Sequence, residues 1–85
     1  MMQDDEIVHH LRASRQLCPV DLAFILEKLT DGGLSQGSFV TYFNRAFPSI
    51  PLGILLQAGG WQRLSEGGMT DEEFNGLLRP YIDHE

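Results

Sequence analysis

"LTDGGLSQGSF" (residues 29–39) and "LSEGGMTDEEF" (residues 64–74) are two versions of one pattern, L-[TS]-[DE]-G-G-[LM]-[ST]-x-x-x-F. Each part of this pattern suits a connection between two helices. A glycine after an apolar helix end can adopt the left-handed conformation that stops the helix. Serine or threonine can then cap the next helix, and the phenylalanine becomes the first core residue of that helix. The repeat therefore predicts two αα-hairpins, each with a Gly-Gly joint.

The second copy carries the clearest helix-start signal in the chain. Thr70 and Glu73 form a T-x-x-E capping box, in which each side chain accepts a hydrogen bond from the backbone N–H of the other residue. Asp71 and Glu72 add negative charge where a helix N-terminus favours it. These roles account for the whole acidic cluster, so we do not assign it to catalysis. A helix is predicted over about residues 71–79.

Apolar spacing and proline positions predict the other helices. These helices cover about residues 4–17, 19–30, 36–47 and 51–57. Pro80 is expected to end or bend the last helix. The fourth helix is apolar on all sides, which is typical of a helix at the buried centre of a domain. The predicted fold is a compact all-α bundle of four to five short helices, built from the two hairpins and an N-terminal helix, in a single domain over residues 1–85.

The charge of the chain predicts the kind of partner that it attracts. Six basic and twelve acidic side chains give a formal net charge of −6. This charge repels nucleic acid and anionic membrane surfaces and attracts a basic protein. A moderate negative charge also keeps a small protein soluble, so the charge alone does not establish that a partner exists.

Three features of the sequence predict a soluble protein of the cytoplasm. The amino terminus, "MMQDDEIVHH", is acidic where a secretory signal is basic. The longest uncharged stretch, residues 47–62, contains two prolines and is shorter than the roughly twenty apolar residues of a membrane span. Cys18 is the single cysteine and cannot form an internal disulfide, which favours a reducing compartment.

The remaining reactive side chains predict no catalytic, metal or cofactor site. His9 and His10 are adjacent on a helix and point about 100° apart, so they cannot hold one metal as an i, i+4 pair can. His84 is interpreted as a solvated residue near the end of the chain. Cys18 lies near a helix start, where its thiol pKa can fall, but the sequence places no base beside it. We therefore expect a protein that is not an enzyme.

The segment G-x-[LM]-[ST]-x-x-x-F resembles the second half of an EF-hand calcium loop with its exit helix. Gly32 and Gly67 match the invariant glycine of that loop. Leu29 and Leu64 stand at the third position of the loop, where the family has an oxygen ligand. Ser38 stands at the twelfth position of the first loop, where the family has a bidentate glutamate. The resemblance implies a degenerate EF-hand-like regulatory module without a functional calcium site.

A candidate partner-binding surface follows from apolar residues beyond those that the predicted core needs. Val20 and Phe24 lie nearly opposite the main apolar stripe of the second helix. Trp61 is either an interface anchor or the centre of the core, and a lone tryptophan in a small domain favours the core. The candidate partner-binding residues are Val20, Phe24, Trp61, Asp71 and Glu72.

The sequence thus predicts a small acidic protein-binding domain that occludes another protein, and the negative charge favours a basic one. Inhibitors, immunity or antitoxin-like proteins and adaptors act in this way. Two alternatives stay open: the degenerate EF-hand-like module, and a homodimer or larger homo-oligomeric component that buries the fourth helix between copies.

Overall fold

Five short helices make up the fold in the computed structural model, which describes residues 3–83. They are α1 (Asp4–Ala13), α2 (Pro19–Leu29), α3 (Gln36–Ala46), α4 (Leu52–Ala58) and α5 (Asp71–Ile82). The predicted all-α class is confirmed, since the only β pairing in residues 3–83 is an isolated bridge between Trp61 and Met69. His84 lies outside the described residues. No helix of the described chain is long and apolar enough to cross a membrane.

Two helix ends differ from the predicted ones. The first helix ends at Ala13 rather than residue 17, and the next residues form a turn in which the backbone N–H of Leu17 donates to the oxygen of Ser14 at 2.9 Å. The guanidinium of Arg79 donates to the backbone oxygen of Leu17 at 2.6 Å and so fixes this turn. The last helix continues through Pro80 to Ile82. Proline lacks a backbone N–H, so α5 loses one backbone hydrogen bond at Pro80, and only two residues of the helix follow it.

Both predicted helix caps are present. Thr70 Oγ1 accepts a hydrogen bond from the backbone N–H of Glu73 at 3.1 Å, and Glu73 Oε1 accepts one from that of Thr70 at 3.1 Å. Ser35 caps α3 in the same way, with Ser38 in place of glutamate. These caps fix where α3 and α5 begin, and each start places a phenylalanine four residues later in the core.

The two Gly-Gly joints have different backbones. Asp31 and Gly32 both have positive φ in the first joint, whereas Gly68 has positive φ in the second. α2 ends directly at the first joint, but α4 ends at Ala58, and a loop over residues 59–70 leads to α5. α2 packs mainly against α1 and α5, while α3 packs against α1 and α4. The equivalence of the two joints as hairpins stays a prediction.

A chain of aromatic rings forms the centre of the core. The rings of Trp61 and Phe74 are stacked with centroids 4.1 Å apart, and Phe39 lies 5.4 Å from Phe74. Phe43 and Phe47 continue the chain at 4.5 and 5.6 Å. These five rings come from α3, from Phe47 directly after it, from α5 and from the loop before α5, so their packing joins elements that are distant in sequence.

The fourth helix is not the buried centre that its composition predicts. Leu55 and Ala58 are buried, but Leu52 is 55% exposed and Leu56 is 62% exposed. α4 packs against α3 and α5, which cover only one side of it. An apolar composition therefore predicts a helix that is buried all round only where enough neighbours exist to cover it.

Candidate functional site

The predicted partner-binding residues lie around the contact between α2 and α5. Val20, Phe24 and Glu27 follow one another along one face of α2, at i, i+4 and i+7. The backbone N–H of Val20 donates to Asn75 Oδ1 on α5 at 2.8 Å. Val20 is only 7% exposed, so its side chain belongs to the core and offers almost no surface to a partner. This corrects its placement in the candidate surface.

Trp61 is also a core residue. Its side chain is 0% exposed, and its ring is stacked on Phe74. The indole Nε1 donates to Asp71 Oδ1 at 2.8 Å, which satisfies the polar atom of an otherwise apolar ring. Trp61 therefore cannot be an interface anchor in this conformation. Its role is to hold the Asp71 carboxylate in place through a hydrogen bond from the buried indole.

Phe24 and Asp71 are held together at the surface by Arg63, a residue that the sequence analysis does not select. The guanidinium carbon of Arg63 lies 5.2 Å from the centroid of the half-buried Phe24 ring, which is a cation–π distance. Nε and one terminal nitrogen of Arg63 donate to the two carboxylate oxygens of Asp71 at 3.2 Å each. The sequence feature that could have predicted this contact is a lone basic residue, Arg63, between a tryptophan and an acidic cluster.

The electrostatics of this group follow from the same contacts. The hydrogen bond from Arg63 lowers the pKa of Asp71, and the hydrogen bond from Trp61 lowers it further. Asp71 in turn raises the pKa of Arg63, and the charge of Glu27 adds to that effect. Glu27 is therefore near enough to Arg63 to interact with it, although it makes no ion pair within the described chain.

Glu72 completes the group on the α5 side. Its side chain is exposed, and it precedes Asn75 by three residues. Residues three apart share a face of a helix, so Glu72 lies on the side of α5 that meets the start of α2. We call the surface of Phe24, Glu27, Arg63, Asp71 and Glu72 the charged face.

Most of the arginine side chains bind carboxylates or backbone oxygens of the same chain. Arg45 binds Asp4 and Asp5, Arg63 binds Asp71, and Arg79 binds Asp83. Arg12 donates to the backbone oxygen of Ala46 at 2.6 Å. Seven exposed carboxylates join none of the ion pairs found among residues 3–83: Glu6, Asp21, Glu27, Asp31, Glu66, Glu72 and Glu73. The outward charge of the molecule is therefore dominated by carboxylates.

A second surface has the opposite character. Leu52, Gly53 and Leu56 are exposed on α4, and we call them the α4 face. Beside them lies an open groove of about 370 Å³ between α3 and α4. Its lining consists of Gln36, Gly37, Val40, Thr41, Leu56 and Gly59. None of these side chains is charged, so the groove presents apolar and neutral polar groups only.

The other titratable side chains form no metal centre in the part of the chain that the structure describes. No group of three or more His, Cys, Asp or Glu side chains is placed to hold an ion there. His9 and His10 line a shallow cavity on α1 with Asp5 and Glu6. Cys18 is a half-buried free thiol at the start of α2.

Asp71→Asn is expected to remove part of the acid sensitivity of the domain. The lowered pKa means that the Asp71 contribution to stability is complete above the ordinary aspartate pKa of about 4 and is lost as the pH falls through the lowered value. Asparagine keeps an oxygen for the indole of Trp61 but has no charge for Arg63. Urea midpoints measured from about pH 5 to pH 2 should fall less in this variant than in the wild type.

Glu6→Gln is the matched control, because Glu6 is an exposed carboxylate on α1, and glutamine keeps the side-chain oxygen that accepts from the backbone N–H of Gln3. Its urea midpoints should follow those of the wild type across the same pH range. Identical pH profiles for both variants would contradict a specific role for Asp71.

The charged face can recognise cations through its carboxylates and its half-buried ring, and the α4 face can bind apolar groups.

Comparison with protein-family models, curated proteins and solved structures finds no match for this chain.

Proposed function

We propose that this chain is a small, acidic, non-enzymatic protein-binding domain that occludes a basic partner. An inhibitor, an immunity or antitoxin-like protein, or an adaptor acts in this way. The observation that carries the proposal is the charged face, where Arg63 joins the half-buried Phe24 ring to the carboxylate of Asp71. Glu27 follows Phe24 on the same face of α2, and Glu72 is exposed at the start of α5.

The internal contact of Arg63 indicates which chemistry this surface accepts. A guanidinium already lies over the Phe24 ring and binds a carboxylate at the same time. Arginine combines these two interactions better than lysine, because its planar group stacks on rings and pairs with carboxylates through two hydrogen bonds. An arginine of a basic partner can use Glu27 and Glu72 in the same way, beside Arg63.

The distribution of charge supports binding by long-range attraction. The carboxylates that join no ion pair attract a basic partner, and such attraction mainly raises the rate of association. The groove beside α4 contains no acidic or basic side chain, so it supplies no general acid or base. The long-range attraction is the observation that favours a role in binding.

Affinity capture with the tagged chain, followed by measurement with the purified captured protein, tests the proposal. The captured protein should be basic, and its affinity should fall as the salt concentration rises, because salt screens charges at the rim of an interface. Glu72→Gln should weaken binding by about two- to fivefold, corresponding to the loss of one exposed charge pair.

Glu6→Gln serves as the control, since it removes one exposed charge on α1, a helix that contributes no residue to the charged face. Its affinity should stay within about twofold of the wild type. Binding that does not respond to salt, or equal losses in both variants, would count against the charged face as the binding surface.

A further inference from the structure

The α4 face is an apolar surface that nothing in the described chain covers. Leu52 and Leu56 are its two exposed leucines, one helical turn apart. We propose that a second copy of this chain binds the α4 face and forms a weak symmetric dimer. This inference is independent of the charged face, on which the proposed function rests.

The distribution of charge identifies the second copy as the occupant. Residues 32–62 contain a single charged residue, Arg45, in a chain with a net charge of −6. Arg45 is itself bound to Asp5 at 2.6 Å. Two copies repel each other when their acidic surfaces meet, so they can approach with the least repulsion through this uncharged region.

The two α1 carboxylates that contact α3 lie on the opposite side of α3 from the groove. Tyr42 donates to Asp4 at 2.7 Å, and Arg45 binds Asp5, both on α1. Gln36 and Val40 line the groove on the α4 side. Successive residues of a helix are rotated by about 100°, so these two pairs of α3 residues lie on opposite sides of the helix. The charge of α1 is therefore separated from the α4 face by the width of α3.

The α4 face has both exposed leucines and a groove that Leu56 itself lines. Protruding leucines lie directly beside a groove of about 370 Å³. In a two-fold dimer the same patch of both copies is in contact, so the leucines of each copy can fill the groove of the other. A helix of seven residues is roughly 10 Å long, and it provides less than the roughly 800 Å² per partner of a standard stable interface. The dimer is therefore reversible and depends on concentration.

A basic protein is a poorer occupant of this surface. Neither α3 nor α4 contains an aspartate or a glutamate, so the α4 face has no carboxylate with which to bind basic side chains. Basic partners are attracted to the charged face instead. An uncharged apolar patch fits another uncharged apolar patch, and this chain itself provides one.

Sedimentation equilibrium of the full chain, from about 10 μM to about 1 mM, tests the dimer. The apparent mass should rise from the monomer value of 9.6 kDa towards twice that value. The rise should begin at lower protein concentration in high salt, because salt screens the repulsion between two acidic chains. This salt dependence is opposite to that expected for a basic partner.

Two variants and a control locate the interface. Leu56→Glu removes an apolar contact, and Gly53→Glu adds a charge at an exposed position where a new side chain meets open space. Each should weaken association roughly tenfold or more, while circular dichroism shows an unchanged fold. Gln16→Glu adds the same charge at an exposed site beyond α1 and should cause a smaller loss, from net charge alone.

Three results would overturn the proposal. The first is a monomer at every concentration, in low and in high salt. The second is a dimer whose affinity is the same in both α4 variants as in the Gln16→Glu control. The third is a dimer that salt weakens, since that would indicate an interface between opposite charges instead of an uncharged one.

Discussion

Phe74→Ala is expected to lower the free energy of unfolding by about 3–5 kcal/mol, because it leaves a cavity where Trp61 and Phe39 now contact the ring. Domains gain about 0.05–0.15 kcal/mol per residue, so a chain of this length has a total stability of roughly 4–13 kcal/mol. This loss is a large fraction of the total, so the thermal and urea midpoints of the variant should fall steeply. Thermal and urea unfolding followed by far-UV circular dichroism measures the loss.

Phe24→Ala is the control for this experiment. Phe24 also lies near Trp61, with ring centroids 6.3 Å apart, but its side chain is half-buried at the surface. Its removal should cost about 1–2 kcal/mol, because a half-buried ring buries less apolar surface than the fully buried Phe74 ring does, and water can fill the space that it leaves. Equal losses in the two variants would show that Phe74 is not the central ring of the core.

Gly67→Ala is expected to destabilise the domain by about 1–3 kcal/mol through overpacking. A Cβ at this position would lie 2.5 Å from the backbone oxygen of Gly60 and 2.7 Å from its Cα. Backbone atoms cannot rotate away as a flexible side chain can, so the loop must shift. That shift would break the hydrogen bond from Met69 N to the same oxygen, now 3.0 Å long.

Gly76→Ala makes the same substitution where the structure has room. Gly76 lies inside α5, and a Cβ there meets nothing within 4 Å. Alanine should raise the stability by about 0.5–1 kcal/mol, because it favours the helix and restricts the unfolded chain. The two variants should therefore shift the urea midpoint in opposite directions. A neutral Gly67→Ala would show that the loop accommodates a side chain at this position without cost.

The class of the fold could be predicted because its signals are local. Thr70 and Glu73 lie three residues apart, so their capping box is readable in the sequence and fixes the start of α5. The exposure of α4 could not be predicted in the same way. Leu52 and Leu55 are the same amino acid on the same helix, and only the positions of α3 and α5 decide which of them is buried.

The candidate site was predictable in part for the same reason. Asp71 and Glu72 could be identified from their positions at a helix start, and Phe24 from its face of α2. Arg63 could not, because its contact with Phe24 joins residues far apart in the sequence. For Trp61, the sequence left two roles open, and only the packing of Phe74 against the indole decides between them.

The fluorescence of the buried Trp61 indole can be used to follow the conformation of the loop over residues 59–70. Because the chain has a single tryptophan, its fluorescence comes from one place, between Phe74 and the loop over residues 59–70. A buried indole emits at shorter wavelength than a solvated one and is shielded from quenchers such as iodide. Any opening of the pairing between Gln62 and Met69 would expose the ring to such quenchers, even while the five helices remain folded.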